Sequence, residues 1–166
     1  MRPAVPASKG SGMPDDSGAV LKLRAVDADD LAVISACLQD ALVAVRDLAF
    51  VPQDGTFLMV ANRFRWEGAA RPQRAEVGYQ RILCGIMFGA VAGASYVGFR
   101  RSEDDRILSL LTIRPWHDGE EVAIQLEFSG GAAIRLDVAC IVCHVQDLGE
   151  PWPTQWQPRH DADERV

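Results

Sequence analysis

The sequence lacks the short motifs that mark most known catalytic sites. It contains no His-Glu-x-x-His pair, no nucleophile elbow and no kinase or dinucleotide-binding signature. Because catalytic groups can also be assembled from distant parts of a chain, this absence lowers the expectation of an enzyme without excluding one. We therefore predict no cofactor, leave the question of an enzyme open, and favour a non-enzymatic role.

Basic residues are in the minority, and almost all of them are arginine. The 166 residues include 17 basic and 23 acidic side chains, which gives a formal net charge of -6. This balance argues against a generally basic nucleic-acid-binding protein. Residues 62–114 nevertheless hold 9 basic and 5 acidic side chains. That basic middle third fits a local anion-binding surface, and it equally fits neutralisation by the acidic flanks in the fold.

The chain also lacks a recognisable export signal, since no apolar segment follows Arg2. The predicted location is therefore the cytoplasm, where thiols stay reduced. Four cysteines are expected to be free and to pack as small apolar side chains. They are Cys37, Cys84, Cys140 and Cys143.

Length and composition indicate one domain with two tails. An apolar fraction of 48% is typical of a chain that buries a core. Residues 1–19 are rich in proline, glycine and serine without periodicity, so we predict a disordered arm. Residues 20–149 are predicted to form the domain. Residues 150–166 contain three prolines and two tryptophans, which predicts an extended tail packed onto the domain.

Hydrophobic periodicity predicts an α+β fold. Asp27 and Asp30 have the spacing of a capping box, and apolar residues at intervals of three and four then predict an amphipathic helix over 28–41. Alternating segments follow, with turns expected at 52–55, 115–119 and 129–131. We predict one N-terminal helix packed on a mostly antiparallel sheet of about seven strands, which can curl into a partial barrel.

One uncharged run, residues 82–99, has the length of a minimal membrane span. Its low leucine content and the arginines at both ends argue against a membrane helix. We predict two buried strands, 82–91 and 94–99, with a break near Gly93 and Ala94. A buried helix packed through its regularly spaced glycines is the alternative.

Cys140-Ile-Val-Cys143-His144 matches the pattern of covalent haem attachment. On a continuous strand, however, the two thiols would face opposite sides. A zinc site would need two ligands besides these cysteines, and a redox-active cysteine pair normally lies at the start of a helix. We therefore predict two buried cysteines without metal, and a bulge or strand end near residues 140 and 141.

The best candidate binding surface interleaves arginine with aromatic residues. On a strand, Arg63 and Arg65 would share the solvent face, and Phe64 and Trp66 would share the core face. The polar segment 67–81 is expected to be a loop that brings more arginines nearby, so that phosphates could be held electrostatically. Ordinary alternation of core and solvent is the competing interpretation. The predicted anion-binding residues are Arg63, Arg65, Trp66, Arg71, Arg74 and Arg81.

Four stretches resemble an uncharacterised alphaproteobacterial domain-of-unknown-function family (DUF2948-like). They read DADDLAVISACLQDALV, ANRFRWE, EFSGGAAIRLDV and QDLGEPWPT. The resemblance covers residues 20–158 and implies no catalytic or ligand-binding residue. The 82–99 run and the Cys140–His144 segment depart from the family pattern.

Two classes of function follow. The favoured one is a small soluble binding or interaction module that contacts a protein partner or, weakly, a polyanion, with no membrane association. A sheet edge in such a module could also pair two copies of the chain. The alternative is a small enzyme or ligand-binding protein with a pocket at the open end of the sheet. A flat exposed patch over a filled core supports the first class, and a deep pocket with converging polar groups supports the second.

Overall fold

A computed structural model describes residues 20–66 and 79–154 of the chain. Within them lie one α-helix and ten strands. The elements are β1 (Lys22–Ala25), α1 (Ala28–Cys37), β2 (Leu42–Ala44), β3 (Leu48–Val51), β4 (Thr56–Phe64), β5 (Tyr79–Phe88), β6 (Val91–Val97), β7 (Ile107–Asp118), β8 (Glu121–Phe128), β9 (Ala133–Val138) and β10 (Cys143–Thr154).

The strands form a single antiparallel sheet in the order β1-β10-β5-β4-β2-β7-β8-β9-β6, with β3 beside β4. The mostly antiparallel sheet with one helix is thus confirmed, but about seven strands was too few. A 3-10 turn at Val45–Asp47 separates β2 from β3, and the proline-containing segment after residue 149 continues β10. The strand path of the described residues does not close, because β1 and β6 lie at its ends.

Short β2 joins two halves of the sheet. It pairs with β4 through Leu42 opposite Asn62, and with β7 along its whole length. Inward side chains of both halves nevertheless form one apolar core. Phe57, Ile86, Ile124 and Leu136 are among its fully buried members. The cluster of buried side chains extends across both halves, and α1 contributes Leu31 and Ile34 to it.

The helix begins as predicted and ends early. The Asp27 carboxylate accepts a 2.8 Å hydrogen bond from the backbone N–H of Asp30, which confirms the cap. The predicted end at residue 41 is wrong, because α1 stops at Cys37. Asp40 adopts a positive φ of 63°, and Leu42 is drawn into the sheet between β4 and β7.

The uncharged run 82–99 forms strands, as predicted, but the break lies elsewhere. The chain turns at Gly89 and Ala90, and Gly93 lies within β6 opposite Asp137. The turn is held by hydrogen bonds of 3.0 Å from Gly89 N–H to Val142 O and from Ala139 N–H to Ala90 O. β5 and β6 do not pair with each other, so this turn carries the chain from one half of the sheet to the other. Among the described residues, no helix has the length and apolarity needed to span a bilayer.

Two further strand predictions can be compared with the sheet. The turn expected at 115–119 is wrong at its start, because β7 continues to Asp118 and Pro115 lies opposite Ile124. The other edge of β7 pairs with β2 only as far as Ser109, so the missing N–H of Pro115 breaks no ladder bond there. The hairpin at Ser129–Gly131 and the strand end near residue 140 are confirmed.

Candidate interaction surfaces

The predicted solvent-facing orientation of Arg63 is wrong. In β4, Phe57, Met59 and Ala61 point into the core, and Arg63 continues this alternation. The side chain of Arg63 is fully buried, with 0% exposed. Because both faces of β4 carry apolar residues, alternation alone does not show which face is the inner one.

A buried carboxylate on a neighbouring part of the sheet compensates the charge of Arg63. Nε and Nη2 of Arg63 donate to the two carboxylate oxygens of Asp147 at 2.7 and 2.8 Å. Asp147 also accepts from the backbone N–H of Leu21 at 3.1 Å. This bidentate geometry is stronger than a single arginine–carboxylate hydrogen bond. Arg63 is therefore committed to an internal ion pair, and its charge is not presented to solvent.

The other predicted anion-binding residues are held in separate local contacts. Arg65 donates to the side-chain oxygen of Gln80 at 2.6 Å, and the indole N–H of Trp66 donates to the Gln39 carbonyl at 3.3 Å. Arg81 is buried and donates to the Asn62 side chain at 3.1 Å. Burial lowers the pKa of Arg81, against a smaller opposing effect of Asp40.

These placements do not bring the predicted arginines onto one exposed face. Arg81 lies 6.0 Å from the centre of the Phe64 ring, which also contacts Trp66 and Tyr79. This packing buries Phe64 and Arg81 at the end of β4 and the start of β5. Arg71 and Arg74 lie outside the described residues. The anion-binding hypothesis itself stays a prediction, and only a binding measurement tests it.

An exposed apolar surface covers the opposite side of β4, β5 and β10. Cross-strand partners point to the same face of a sheet, and here the partners are Leu58 with Met87 and Leu83 with Leu148. We call this surface the outer apolar face, and the exposed fraction of each of its residues is 36–43%. They are Leu58, Val60, Leu83, Met87 and Leu148.

Gly85 lies in the middle of the outer apolar face and carries no side chain. Its cross-strand partners are Val60 on β4 and the exposed, polar Gln146 on β10. A Cβ built on Gly85 would sit 3.5 Å from Cδ1 of Leu148, so the leucine side chain already covers this glycine. The apolar surface therefore continues from β4 across β5 to β10.

A basic border adjoins the outer apolar face on the side of β1. The row that contains Leu58 and Met87 continues to His144 on β10 and then to Arg24 on β1. Lys22, at the end of the neighbouring row, is also exposed. The face thus combines apolar side chains with positive charge at one side.

The second half of the sheet carries an open pocket of about 710 Å³ beside β6. Its lining includes Glu120, Glu121, Ser95, Arg135 and Asp137. Arg135 donates to Asp137 at 2.9 Å and lies 4.3 Å from the centre of the Trp116 ring. The pocket thus combines three carboxylates and one guanidinium with apolar side chains such as Val122 and Val138, so its charged lining is predominantly acidic, and it lies on the surface of the sheet.

The cysteine segment differs in part from its prediction. Cys143 is buried, but Cys140 is exposed because it lies in the connection between β9 and β10. Burial raises the pKa of the Cys143 thiol to about 12, and burial likewise raises that of Cys84 to about 12. Within the described part of the chain, no three His, Cys, Asp or Glu side chains are grouped as metal ligands.

The fold and its surfaces define an open antiparallel sheet with one helix and an exposed apolar face. The chain belongs to the DUF2948 family, described as a protein of unknown function, whose sequence profile matches residues 21–160. The family resemblance drawn from the sequence is thereby confirmed, and the family assigns no activity. Searches of curated proteins and of solved structures gave no match.

Proposed function

We propose that this protein is a non-enzymatic interaction module that binds another protein through the outer apolar face. The single observation that carries the proposal is the patch of exposed apolar side chains shared by β4, β5 and β10, in which the Leu148 side chain covers Gly85. Contiguous exposed apolar surface with a polar border is characteristic of protein-binding sites. The five side chains of this face are not part of the buried core cluster, so they are additional to those that form the core of the fold.

The charge next to the face specifies the partner's chemistry. The cationic residues Arg24 and Lys22 lie along one side of it, opposite His144 and Gln146 of β10. A partner with an apolar patch and acidic residues on the matching side would satisfy both features. A second copy would carry the same basic border, so two copies with overlapping faces would offer these cationic side chains no acidic counterpart. We therefore assign the face to a different protein with an acidic border.

Site-specific photo-crosslinking in the native host tests this assignment. A photoreactive amino acid replaces Leu83 on β5, the middle strand of the face, and a control carries it at Val33, an exposed apolar position on α1. We expect one predominant crosslinked protein from position 83 and none in common with position 33. The captured protein is then purified and its affinity measured directly.

Two matched variants make the affinity measurement decisive. Leu83→Lys places a charge on the middle strand of the apolar surface and should weaken binding about tenfold or more, while Val33→Lys should change it less than about twofold. Both positions are exposed, so both variants should fold. Equal binding by wild type and Leu83→Lys, or crosslinking to a second copy of the chain, would refute the proposal. Cytoplasmic location and alphaproteobacterial origin stay predictions, and cell fractionation tests the first.

A further inference from the structure

β6 presents a free strand edge. Among the described residues it pairs only with β9, and its first residue, Val91, donates to the Gly55 carbonyl at 2.8 Å. Beyond Val91 the outer edge extends to Val97 and contains neither a charged residue nor a proline. Sheet edges normally carry such residues because unpaired N–H and C=O groups recruit other strands. β1, at the other end of the sheet, carries Lys22 and Arg24.

The acidic pocket lies directly beside this edge. Ala92 and Ser95 of β6 line it together with Glu120 and Glu121 from the hairpin between β7 and β8. Asp137 lies opposite Gly93, where a Cβ would stand 3.5 Å from the carboxylate oxygen Oδ2. Because Gly93 has no side chain, the carboxylate is approachable from the edge of the sheet.

The charges of the pocket do not cancel. Arg135 is its only basic lining residue among those described, and Arg135 already contacts Asp137 and the Trp116 ring. Glu120 and Glu121 are both exposed at its rim. A cationic side chain that entered the pocket would gain attraction from these carboxylates and would also lose little hydration in so open a site.

We propose that the edge of β6 accepts an extended segment of a partner protein as an additional strand, with a lysine or arginine of that segment in the acidic pocket. Strand addition supplies affinity through backbone hydrogen bonds, and alternate side chains supply specificity. The β6 edge of a second copy carries no lysine or arginine, so an edge-to-edge dimer would leave the acidic pocket without a cationic side chain. This site lies in the other half of the sheet from the outer apolar face and does not depend on the proposed function.

Two end-blocked hexapeptides serve as probes, one alternating valine with lysine and the other alternating valine with glutamate. Binding to the full chain is followed by amide NMR shifts at low salt. We expect the lysine peptide to shift the amides of Val91–Val97. The glutamate peptide should bind at least about tenfold more weakly, because its carboxylates meet those of the pocket.

Charge reversal at the rim provides the matched comparison. Glu120→Lys combined with Glu121→Lys should weaken the lysine peptide about tenfold and strengthen the glutamate peptide. Glu150→Lys, an exposed position on β10, serves as the control and should leave the affinity ratio of the two peptides unchanged. No β6 shift at millimolar peptide, equal affinity for both peptides, or concentration-dependent dimerisation that shifts the same amides would overturn the proposal. Unaltered spectra away from the pocket establish that each variant is folded.

Discussion

Replacing Asp147 by asparagine should destabilise the protein strongly. Asp147 and Arg63 are 2% and 0% exposed, and their two contacts measure 2.7 and 2.8 Å. Asparagine keeps the shape of aspartate but removes its charge, so the guanidinium of Arg63 is left buried with no formal counter-charge from Asp147. Breaking a buried pair in this way lowers the free energy of unfolding by about 3–5 kcal/mol.

The chain offers an exposed pair of the same chemistry as a control. Arg46 and Asp105 are joined at 2.8 Å, but their side chains are 59% and 94% exposed. Water screens such a pair, and Asp105→Asn should therefore cost less than about 1 kcal/mol. Urea unfolding followed by circular dichroism gives the free energy of unfolding for both variants under the same conditions.

A double variant separates the charge effect from simple loss of packing. Arg63→Met combined with Asp147→Leu removes both charges and keeps apolar volume at both positions, so it should recover most of the loss in Asp147→Asn. This variant also keeps the test informative if Asp147→Asn does not fold. If Asp147→Asn costs no more than Asp105→Asn, the reasoning from burial is refuted.

Three further predictions concern the cap and the thiols. Asp27→Ala should lower the free energy of unfolding by about 0.5–2 kcal/mol, because Asp30 N–H loses its acceptor, while Asp29→Ala should cost less by the same urea assay. At pH 8 a thiol reagent should modify exposed Cys140 in the folded protein, and modification of Cys84 and Cys143 should require unfolding; mass spectrometry of peptides distinguishes the sites. From pH 9 to 10 stability should fall, because unfolded thiols ionise near the usual pKa of 9.0 while the buried ones keep protons up to about 12. The expected slope is up to about 1.4 kcal/mol per pH unit for each buried thiol, and the double variant Cys84→Ala, Cys143→Ala should show a smaller fall.

Sequence patterns correctly predicted those features of the fold that depend only on residues close together in the chain. The Asp27 cap, the hairpin at Ser129–Gly131 and the strand end near residue 140 each depend on a few neighbouring residues. The end of α1 was missed because it is set by the pairing of Leu42 with distant strands. Helix propensity alone does not report such a tertiary effect.

The predicted binding site failed in orientation for a related reason. Leu58 and Val60 alternate with Phe57 and Met59, so either face of β4 satisfies an apolar pattern. The partner that fixes the inner face, Asp147, lies far away in the sequence on β10. Cys143, Val145 and Asp147 alternate along β10 and share its inner face, so this pattern could have indicated that Asp147 points inward. A buried aspartate is expected, however, only when its partner, Arg63, is known. No local pattern indicated the outer apolar face, since it combines β4 and β5 with β10, which lies far away in the sequence.

The pairing of β1 with β10 can form only late in synthesis, because the two strands lie near opposite ends of the described chain. Lys22 finds its partner only when Gln146 has left the ribosome. At translation rates of about 5–20 residues per second, β1 stays without its partner strand for roughly 6–25 s. β5 lacks the same partner along one of its edges until then, so the backbone beside its residues Leu83 and Met87 is unpaired. The nascent chain is thus most prone to aggregation just before β10 emerges, and a ribosome that stalls there would hold a sheet that ends at β5, with β1 detached from it.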